Sequence, residues 1–138
     1  MAHQATPITR RPSRRIMVGN VPVGGDAPVS VQSMTNTDTC DVAATVGQVR
    51  ALERAGADMV RVSVPSMAAA EAFGVRRRQV DVPLISLIHF DPRIAQRVLE
   101  LGVDCLRITP TPHGRQARGR PAVHASLRRA VPHSPSVQ

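Results

Sequence analysis

An almost unbroken apolar run, PLISLIHF at residues 83–90, constrains the fold of this chain more than any other feature. A strand with one face in water alternates apolar and polar residues, whereas a continuous run is typical of strands buried on both faces of a parallel sheet. The run is followed by Asp91-Pro92, a helix N-cap with Pro at the first helical position. It therefore predicts a buried strand that leads directly into a helix.

The same alternation of strand and helix extends along the chain. Apolar runs at 29–34, 59–64 and 105–110 predict three more strands, and helices are expected to begin at Asp41 and at Pro65-Ser66. Gly56 and Gly102 suit helix ends, and Gly74 is expected to weaken the second helix. The residues expected to face the sheet are Val42, Val46, Val49 and Leu52 in the first helix, Met67, Ala70 and Phe73 in the second, and Ile94, Ala95, Val98 and Leu99 in the third.

The segments on either side of this core differ from it. Turn-forming glycines predict a small β-hairpin near residues 16–25. Residues 1–14 are interpreted as a disordered leader and 15–110 as the folded domain. Residues 111–138 hold no carboxylate and no apolar periodicity, so we expect a disordered and out-of-frame tail. The order of elements predicts an α/β fold, interpreted as a partial (β/α)8 barrel of four strands.

A two-copy internal repeat favours the barrel over an open sheet. Residues 56–63 (GADMVRVS) resemble residues 102–109 (GVDCLRIT), and the two copies are separated by two strand–helix units. Alternate strands of a (β/α)8 barrel contribute side chains to the same interior layer. We therefore expect Arg61 and Arg107 to lie at equivalent heights, on the same side of the sheet.

Charge and composition exclude several classes of function. The chain has 18 basic residues, all Arg, and half of them lie in residues 1–15 and 111–138, so the net charge of +8 belongs to the ends. A basic face with stacking aromatics is absent, which excludes a specific nucleic-acid role. No apolar run reaches a membrane span and no secretory signal is visible, so we expect a cytoplasmic protein. Cys40 and Cys105 are too few and too far apart for a metal site, and no catalytic residue is assigned.

The candidate site consists of polar residues at the carboxyl ends of the strands. Arg61 and Arg107 suit a forked site for phosphate or diphosphate, the alternative being internal ion pairs with Asp58 and Asp104. The other candidates are Gln32, Ser33, Thr35 and Asn36 at the carboxyl end of the first strand and His89 at the end of the third. Each also has a purely structural interpretation as a loop, cap or hydrogen-bonded residue.

Three strings of the sequence resemble the hydroxymethylbutenyl diphosphate synthase family of the non-mevalonate isoprenoid pathway. They are VGNVPVGGDAPVSVQSMTNT, ALERAGADMVRVSVPSMAAAEAF and VPLISLIHFDPRIA with GVDCLRI, and together they cover roughly residues 14–110. The resemblance implies a (β/α)8 barrel followed by a domain that carries a [4Fe-4S] cluster. The residues that match its substrate-site motifs are Gln32, Ser33, Asn36, Arg61, His89 and Arg107.

The resemblance also implies an activity and its partners. The family opens the ring of methylerythritol cyclodiphosphate reductively and removes water, with electrons from ferredoxin or flavodoxin, and is often homodimeric. This chain departs from the family at Leu87, where Asp is usual, and at residues 109–112, where Asn-Pro-Gly-Asn is usual. We expect an inactive fragment without a cluster, the alternative being a non-catalytic remnant or a basic RNA-associated peptide.

Overall fold

The structure, a computed structural model, describes residues 11–89 and 91–109. Strands and helices alternate after an initial hairpin, as predicted. The elements are β1 (Ile16–Val18), β2 (Val21–Val23), β3 (Gln32–Met34), α1 (Val42–Arg54), β4 (Met59–Ser63), α2 (Met67–Arg77), β5 (Leu84–His89), α3 (Pro92–Glu100) and β6 (Cys105–Thr109).

Strands β3 to β6 form one parallel sheet in the order β3-β4-β5-β6, and β1 pairs with β2 in a separate antiparallel hairpin. The register aligns Met34 with Arg61, Arg61 with Ile85, and Ile85 with Cys105. The prediction of an α/β fold with a parallel sheet is therefore confirmed. The predicted disordered tail, residues 111–138, lies outside the described residues, as do residues 1–10 of the predicted leader.

The two faces of the sheet are covered differently. Val60, Val62, Leu84 and Ile88 lie on the face covered by α1, α2 and α3, and belong to the main core. We call this the outer face. The opposite, inner face carries Met59, Ile85 and Cys105, which pack against Val18, Val21 and Val23 of the hairpin in a second, small core. The hairpin thus covers the inner face at the amino ends of the strands, and leaves the carboxyl ends free of it.

Each helix begins at the predicted cap. The side chains of Asp41, Ser66 and Asp91 accept hydrogen bonds from the first turns of α1, α2 and α3. Most of the residues expected to face the sheet do so, with Val46, Val49, Ala70, Phe73, Ile94, Ala95, Val98 and Leu99 buried. Met67 is an exception and the prediction for it was wrong. It is 44% exposed, because it is the first residue of α2 and lies at the rim rather than over the sheet.

Gly74 contributes to helix packing instead of weakening α2. It is buried inside the helix, and a Cβ placed on it would lie 2.8 Å from Cδ2 of Leu101. The missing side chain therefore allows Leu101, which follows α3, to pack directly against the backbone of α2. The cost of Gly in a helix interior, about 0.5–1 kcal/mol relative to Ala, is offset here by this close contact.

The first parallel strand is shorter than predicted, beginning at Gln32 rather than at residue 29. Val29 and Val31 are 76% and 56% exposed. The backbone N–H of Val31 donates to Oδ2 of Asp58 at 2.7 Å, and its carbonyl accepts from Asp58 at 2.9 Å. Val31 is thus held at the start of β4 by Asp58, whereas Val29 and Ser30 precede the regular strand.

The hairpin is fixed to the sheet and to the segment before it. Gly19 has a φ of +58° and its Cα approaches Pro83 and Asp104 so closely that a Cβ would lie 2.9 Å from Cγ of Pro83. Ser13, inside the predicted leader, accepts a hydrogen bond from Gly25 at 2.9 Å. Within the part of the chain that the structure describes, no helix is long and apolar enough to cross a membrane.

Candidate anion-binding site

The repeated Gly-x-Asp segments position the strands that carry the two candidate arginines. Gly56 and Gly102 both have positive φ, +97° and +84°, which glycine adopts without strain. Two residues later, Asp58 accepts from the amide of Val31 and Asp104 accepts from the amide of Leu84 at 2.9 Å. In both copies the carboxylate therefore holds the start of the preceding strand in line with its own.

These contacts engage Asp58 and Asp104 with groups other than Arg61 and Arg107. Asp104 is held instead by Arg77 of α2, whose Nη2 donates to Oδ1 at 3.0 Å and whose Nε lies 2.9 Å from Oδ2. No ion pair joins Asp58 or Asp104 to either candidate arginine among the described residues. The alternative of internal ion pairs is therefore wrong, because each carboxylate is used for strand alignment.

Arg61 and Arg107 lie on the same face of the sheet. Arg61 is in register with Ile85, and Arg107 is in register with Leu87, two residues further along the same strand. Since side chains alternate between faces along a strand, all four belong to the inner face. Arg61 is half-buried, and its Nε is buried with no hydrogen-bond partner in the described part of the chain, whereas Arg107 is exposed.

The two-residue offset between the arginines corresponds to equal height in a barrel. In an eight-stranded barrel of shear 8, positions of equal height drift by roughly one residue per strand, because the strands tilt. Arg107 lies two strands and two residues from Arg61. The structure therefore agrees with the predicted equivalence of the two positions.

The four candidates in and after β3 separate in the structure. Gln32 is exposed and aligned with Met59, so it shares the inner face with Arg61 but lies two residues nearer the amino end. Ser33 is aligned with Val60 and so belongs to the outer face, away from the arginines. Asn36 lies beyond the strand and is exposed, and Thr35 before it is buried. Of these candidates, the register places only Gln32 on the face of the two arginines.

His89 ends β5 on the inner face, in register with Thr109. Its side chain is exposed, and it lies two residues beyond Leu87, which is the register partner of Arg107. Leu87 also pairs with Ser63. The carboxyl half of the inner face thus carries two guanidinium groups and an imidazole around a leucine, an arrangement suited to an anion with several oxygens.

Sequence reasoning missed the residues that hold the loop after β3. The side chain of Gln48 on α1 accepts from the backbone N–H of Asn36 at 2.9 Å and donates to its side-chain oxygen. The hydroxyl of Thr39 donates to the carbonyl of Ser63 at 2.6 Å and is buried. The available signal was the position of Gln48 in α1, about two turns from the cap at Asp41 and beside the valine face.

The described residues do not fit an iron–sulfur cluster. Such clusters are held by about four thiolates. Cys40 is exposed in the loop before α1, whereas Cys105 begins β6 at the opposite end of the sheet. Burial raises the pKa of the Cys105 thiol, and the nearby Asp104 raises it further, which disfavours the thiolate. No group of three or more potential metal ligands occurs among residues 11–89 and 91–109.

The fold and the candidate site together define a class of protein, the α/β proteins with a parallel sheet and cationic side chains toward the carboxyl ends of its strands. Residues 13–133 match the GcpE TIM-barrel domain family. Since this match covers most of the chain, the chain belongs to that family. It also extends beyond the residues 14–110 that carry the sequence motifs, and includes much of the segment that we expected to be out of frame.

Relatives with high identity carry one name. The chain is 68% identical over 130 residues to the 4-hydroxy-3-methylbut-2-en-1-yl diphosphate synthase (flavodoxin) of Pseudomonas paraeruginosa, covering 94% of this chain and 35% of that protein. It is 64% identical over 129 residues to the protein of the same name from Marinobacter nauticus, with the same coverage. The match to the Cellvibrio japonicus protein is 68% over 116 residues, 84% of this chain and 31% of that one. The chain therefore spans about a third of the length of these relatives.

Proposed function

We propose that this chain provides the first half of the diphosphate-binding barrel of a 4-hydroxy-3-methylbut-2-en-1-yl diphosphate synthase. The ligand would be the diphosphate part of methylerythritol cyclodiphosphate. In the whole protein a [4Fe-4S] cluster, held by residues outside this chain, would supply two electrons from flavodoxin for ring opening. The name of the relatives, which includes flavodoxin, supports this donor over ferredoxin.

One observation carries the proposal. Arg61 and Arg107 share a face and a height, and the carboxylates that could have neutralised them are engaged elsewhere. A half-buried guanidinium with an unpartnered Nε is costly unless an anion occupies the site. Together with the exposed guanidinium of Arg107, that of Arg61 is suited to the paired phosphoryl groups of a diphosphate, with Gln32 and His89 as further donors on the same face. Asn36 would act through the loop that follows β3, and Ser33, on the outer face of β3, would act by positioning that strand.

Calorimetric titration of the 138-residue chain with inorganic diphosphate and with methylerythritol cyclodiphosphate tests this function. We expect Arg61→Ala and Arg107→Ala each to weaken binding by roughly 1.5–3 kcal/mol, as for a charge-assisted hydrogen bond. Arg54→Ala is the matched control, since Arg54 is exposed at the end of α1, at the amino side of the sheet. An equal loss in all three variants would mean nonspecific attraction by a basic chain, and would contradict the proposal.

A further inference from the structure

The loop that follows β3 is held to β4 by hydrogen bonds on both sides of Asn36. The backbone N–H of Thr35 donates to the carbonyl of Arg61 at 3.0 Å, which continues the pairing of β3 with β4 by one residue. Further along the loop, the hydroxyl of Thr39 donates to the carbonyl of Ser63 at 2.6 Å. Asn36 is exposed between these two anchors. Its backbone is therefore fixed at the carboxyl end of the strand that carries Arg61.

Two hydrogen bonds between Asn36 and Gln48 of α1 determine which way each side-chain amide faces. The backbone N–H of Asn36 donates to Oε1 of Gln48 at 2.9 Å, and Nε2 of Gln48 donates to Oδ1 of Asn36. A backbone N–H can only donate, so Gln48 must meet it with its oxygen and turn its NH2 group toward the side chain of Asn36. Asn36 must then meet that NH2 group with its own oxygen. The orientation of both amides thus follows from one backbone donor.

This arrangement leaves the donor end of the Asn36 side chain for a ligand. Its Nδ2 has no hydrogen-bond partner among residues 11–89 and 91–109, and the side chain is exposed. A side-chain amide offers an acceptor at one end and two donors at the other. Because the acceptor end is engaged by Gln48, the end that remains is the one that suits the oxygens of an anion.

We infer that Gln48 is a positioning residue of the anion site, which fixes the amide of Asn36 so that Nδ2, and not Oδ1, faces a bound diphosphate. The inference rests on the proposed function, since it assigns to Asn36 a contact with the same ligand. Gln48 acts through Asn36, with which both of its hydrogen bonds are made. A merely structural role would require only that the loop be held in place, whichever way the amides face.

The substitution Gln48→Glu separates these two roles. A carboxylate at this position still accepts from the backbone N–H of Asn36, but it cannot donate. The amide of Asn36 must therefore turn, so that Nδ2 donates to the carboxylate and Oδ1 faces the ligand. The loop keeps both hydrogen bonds while the outward donor becomes an acceptor. Gln48→Met, in contrast, removes both hydrogen bonds and tests the structural role.

The orientation of the amide can be measured by NMR without any ligand. The chain has only two asparagines, Asn20 and Asn36, so labelling of asparagine with 15N gives the side-chain signals of these two alone. Asn20 is exposed in the turn between β1 and β2 and provides the reference. We expect the side-chain NH2 of Asn36 to exchange with water as fast as that of Asn20, and more slowly in Gln48→Glu. Slow exchange already in the unsubstituted chain, or no change in the variant, would overturn the inference.

The consequence for binding is measured by calorimetric titration of the 138-residue chain with inorganic diphosphate. We expect Gln48→Glu to weaken binding about tenfold, as for the loss of a hydrogen bond to a charged group. Gln96→Glu adds the same charge at an exposed position of α3 and should change the affinity by less than about twofold. Weakening by Gln48→Met alone, with Gln48→Glu binding normally, would show a structural role and overturn the inference.

A double-mutant cycle establishes that the effect passes through Asn36. In the Asn36→Ala background, Gln48→Glu should change the affinity by less than about twofold, because no amide remains to be oriented. An undiminished effect there would mean that the charge at position 48 acts on the ligand directly, and would overturn the inference. Absence of diphosphate binding by the unsubstituted chain would contradict the proposed function and, with it, the role of Asn36. The exchange measurement is made without diphosphate, so it distinguishes that failure from a wrong orientation of the amide.

Discussion

Glu71 on α2 and Arg97 on α3 form a two-bond ion pair between neighbouring helices. The Nε and Nη2 atoms of Arg97 donate to the two carboxylate oxygens of Glu71 at 2.6 and 3.1 Å, and Nη1 donates to Glu100 at 3.1 Å. The hydrogen bond from Arg97 lowers the pKa of Glu71 below its ordinary value of 4.5 and the same contacts raise the pKa of Arg97. The pair therefore links the docking of these helices to pH.

The loss of stability at acid pH should depend on the pair of Glu71 and Arg97. Because the pKa of Glu71 is lowered in the folded chain, its contribution is fully present above about pH 4.5 and is lost as the pH falls through the lower folded value. We expect Glu71→Gln to reduce the decrease in Tm between pH 6 and pH 3. Glu53→Gln on α1, whose side chain has no such ion pair, is the control. An unchanged acid limb in Glu71→Gln would show that the pair does not persist in solution.

Replacing Arg76 should stabilise the chain. The side chain of Arg76 is fully buried in α2, and burial lowers its pKa. Its three guanidinium nitrogens have no hydrogen-bond partner among the residues that the structure describes. A buried unpaired charge is strongly unfavourable, so Arg76→Met is expected to raise the free energy of unfolding by about 1–4 kcal/mol. Arg78→Met, at the exposed end of the helix, should change it by less than about 0.5 kcal/mol. Urea denaturation measures both, and destabilisation by Arg76→Met would mean that this guanidinium has a partner.

Removing the carboxylate of Asp104 should be costly. Its side chain is 10% exposed, forms an ion pair with Arg77 and accepts a hydrogen bond from the amide of Leu84. Asp104→Ala leaves a half-buried charge and a strand amide unpaired, so we expect a loss of about 2–4 kcal/mol in the free energy of unfolding. The exposed pair of Asp26 with Arg15, 3.7 Å apart, provides the comparison, and Asp26→Ala should cost almost nothing. Equal effects in chemical denaturation would contradict this role of Asp104.

Position 87 should tune the affinity for anions. Leu87 is the register partner of Arg107 on the inner face, so a carboxylate there would compete with a bound diphosphate. We expect Leu87→Asp to weaken diphosphate binding by about 1–2 kcal/mol through its charge. Leu87→Asn introduces a side chain of nearly the same shape as Asp but without the charge, and should retain the affinity for diphosphate. Calorimetry on both variants separates charge from packing, and equal weakening would exclude the electrostatic explanation.

The chain by itself is expected to assemble no iron–sulfur cluster. Its two cysteines lie at opposite ends of the sheet, and clusters need about four thiolates. Anaerobic reconstitution followed by iron and sulfide assays should give well below one cluster per chain, and Cys40→Ser should change nothing. Stoichiometric iron and sulfide, lost in that variant, would contradict this expectation.

The sequence was most informative where local pattern decides structure. The caps at Asp41, Ser66 and Asp91 and the buried faces of α1 and α3 follow from hydrogen-bonding chemistry and helical period, and all appear in the structure. The repeat predicted that Arg61 and Arg107 share a face, because strand pleat is local and the two copies are similar.

Features that depend on the approach of distant elements were not predictable. Arg76 is buried although a charged residue is expected at the surface. Its burial is determined by the packing around α2 and not by the residue type. That Asp104 would bind Arg77 rather than Arg107 depends on where the end of α2 meets the start of β6. Which face of the sheet Ser33 occupies could not be predicted, because it depends on how β3 aligns with β4.

The repeated Gly-x-Asp segment has a consequence for how such chains arise. Asp58 and Asp104 each align a strand with the one that precedes it in the sheet, using only groups inside a single strand–helix–strand unit. The two units that contain this segment, β3-α1-β4 and β5-α3-β6, therefore each carry their own alignment signal. Duplication or recombination of whole units during evolution preserves strand order and register, which makes a barrel of this kind tolerant of assembly from pieces.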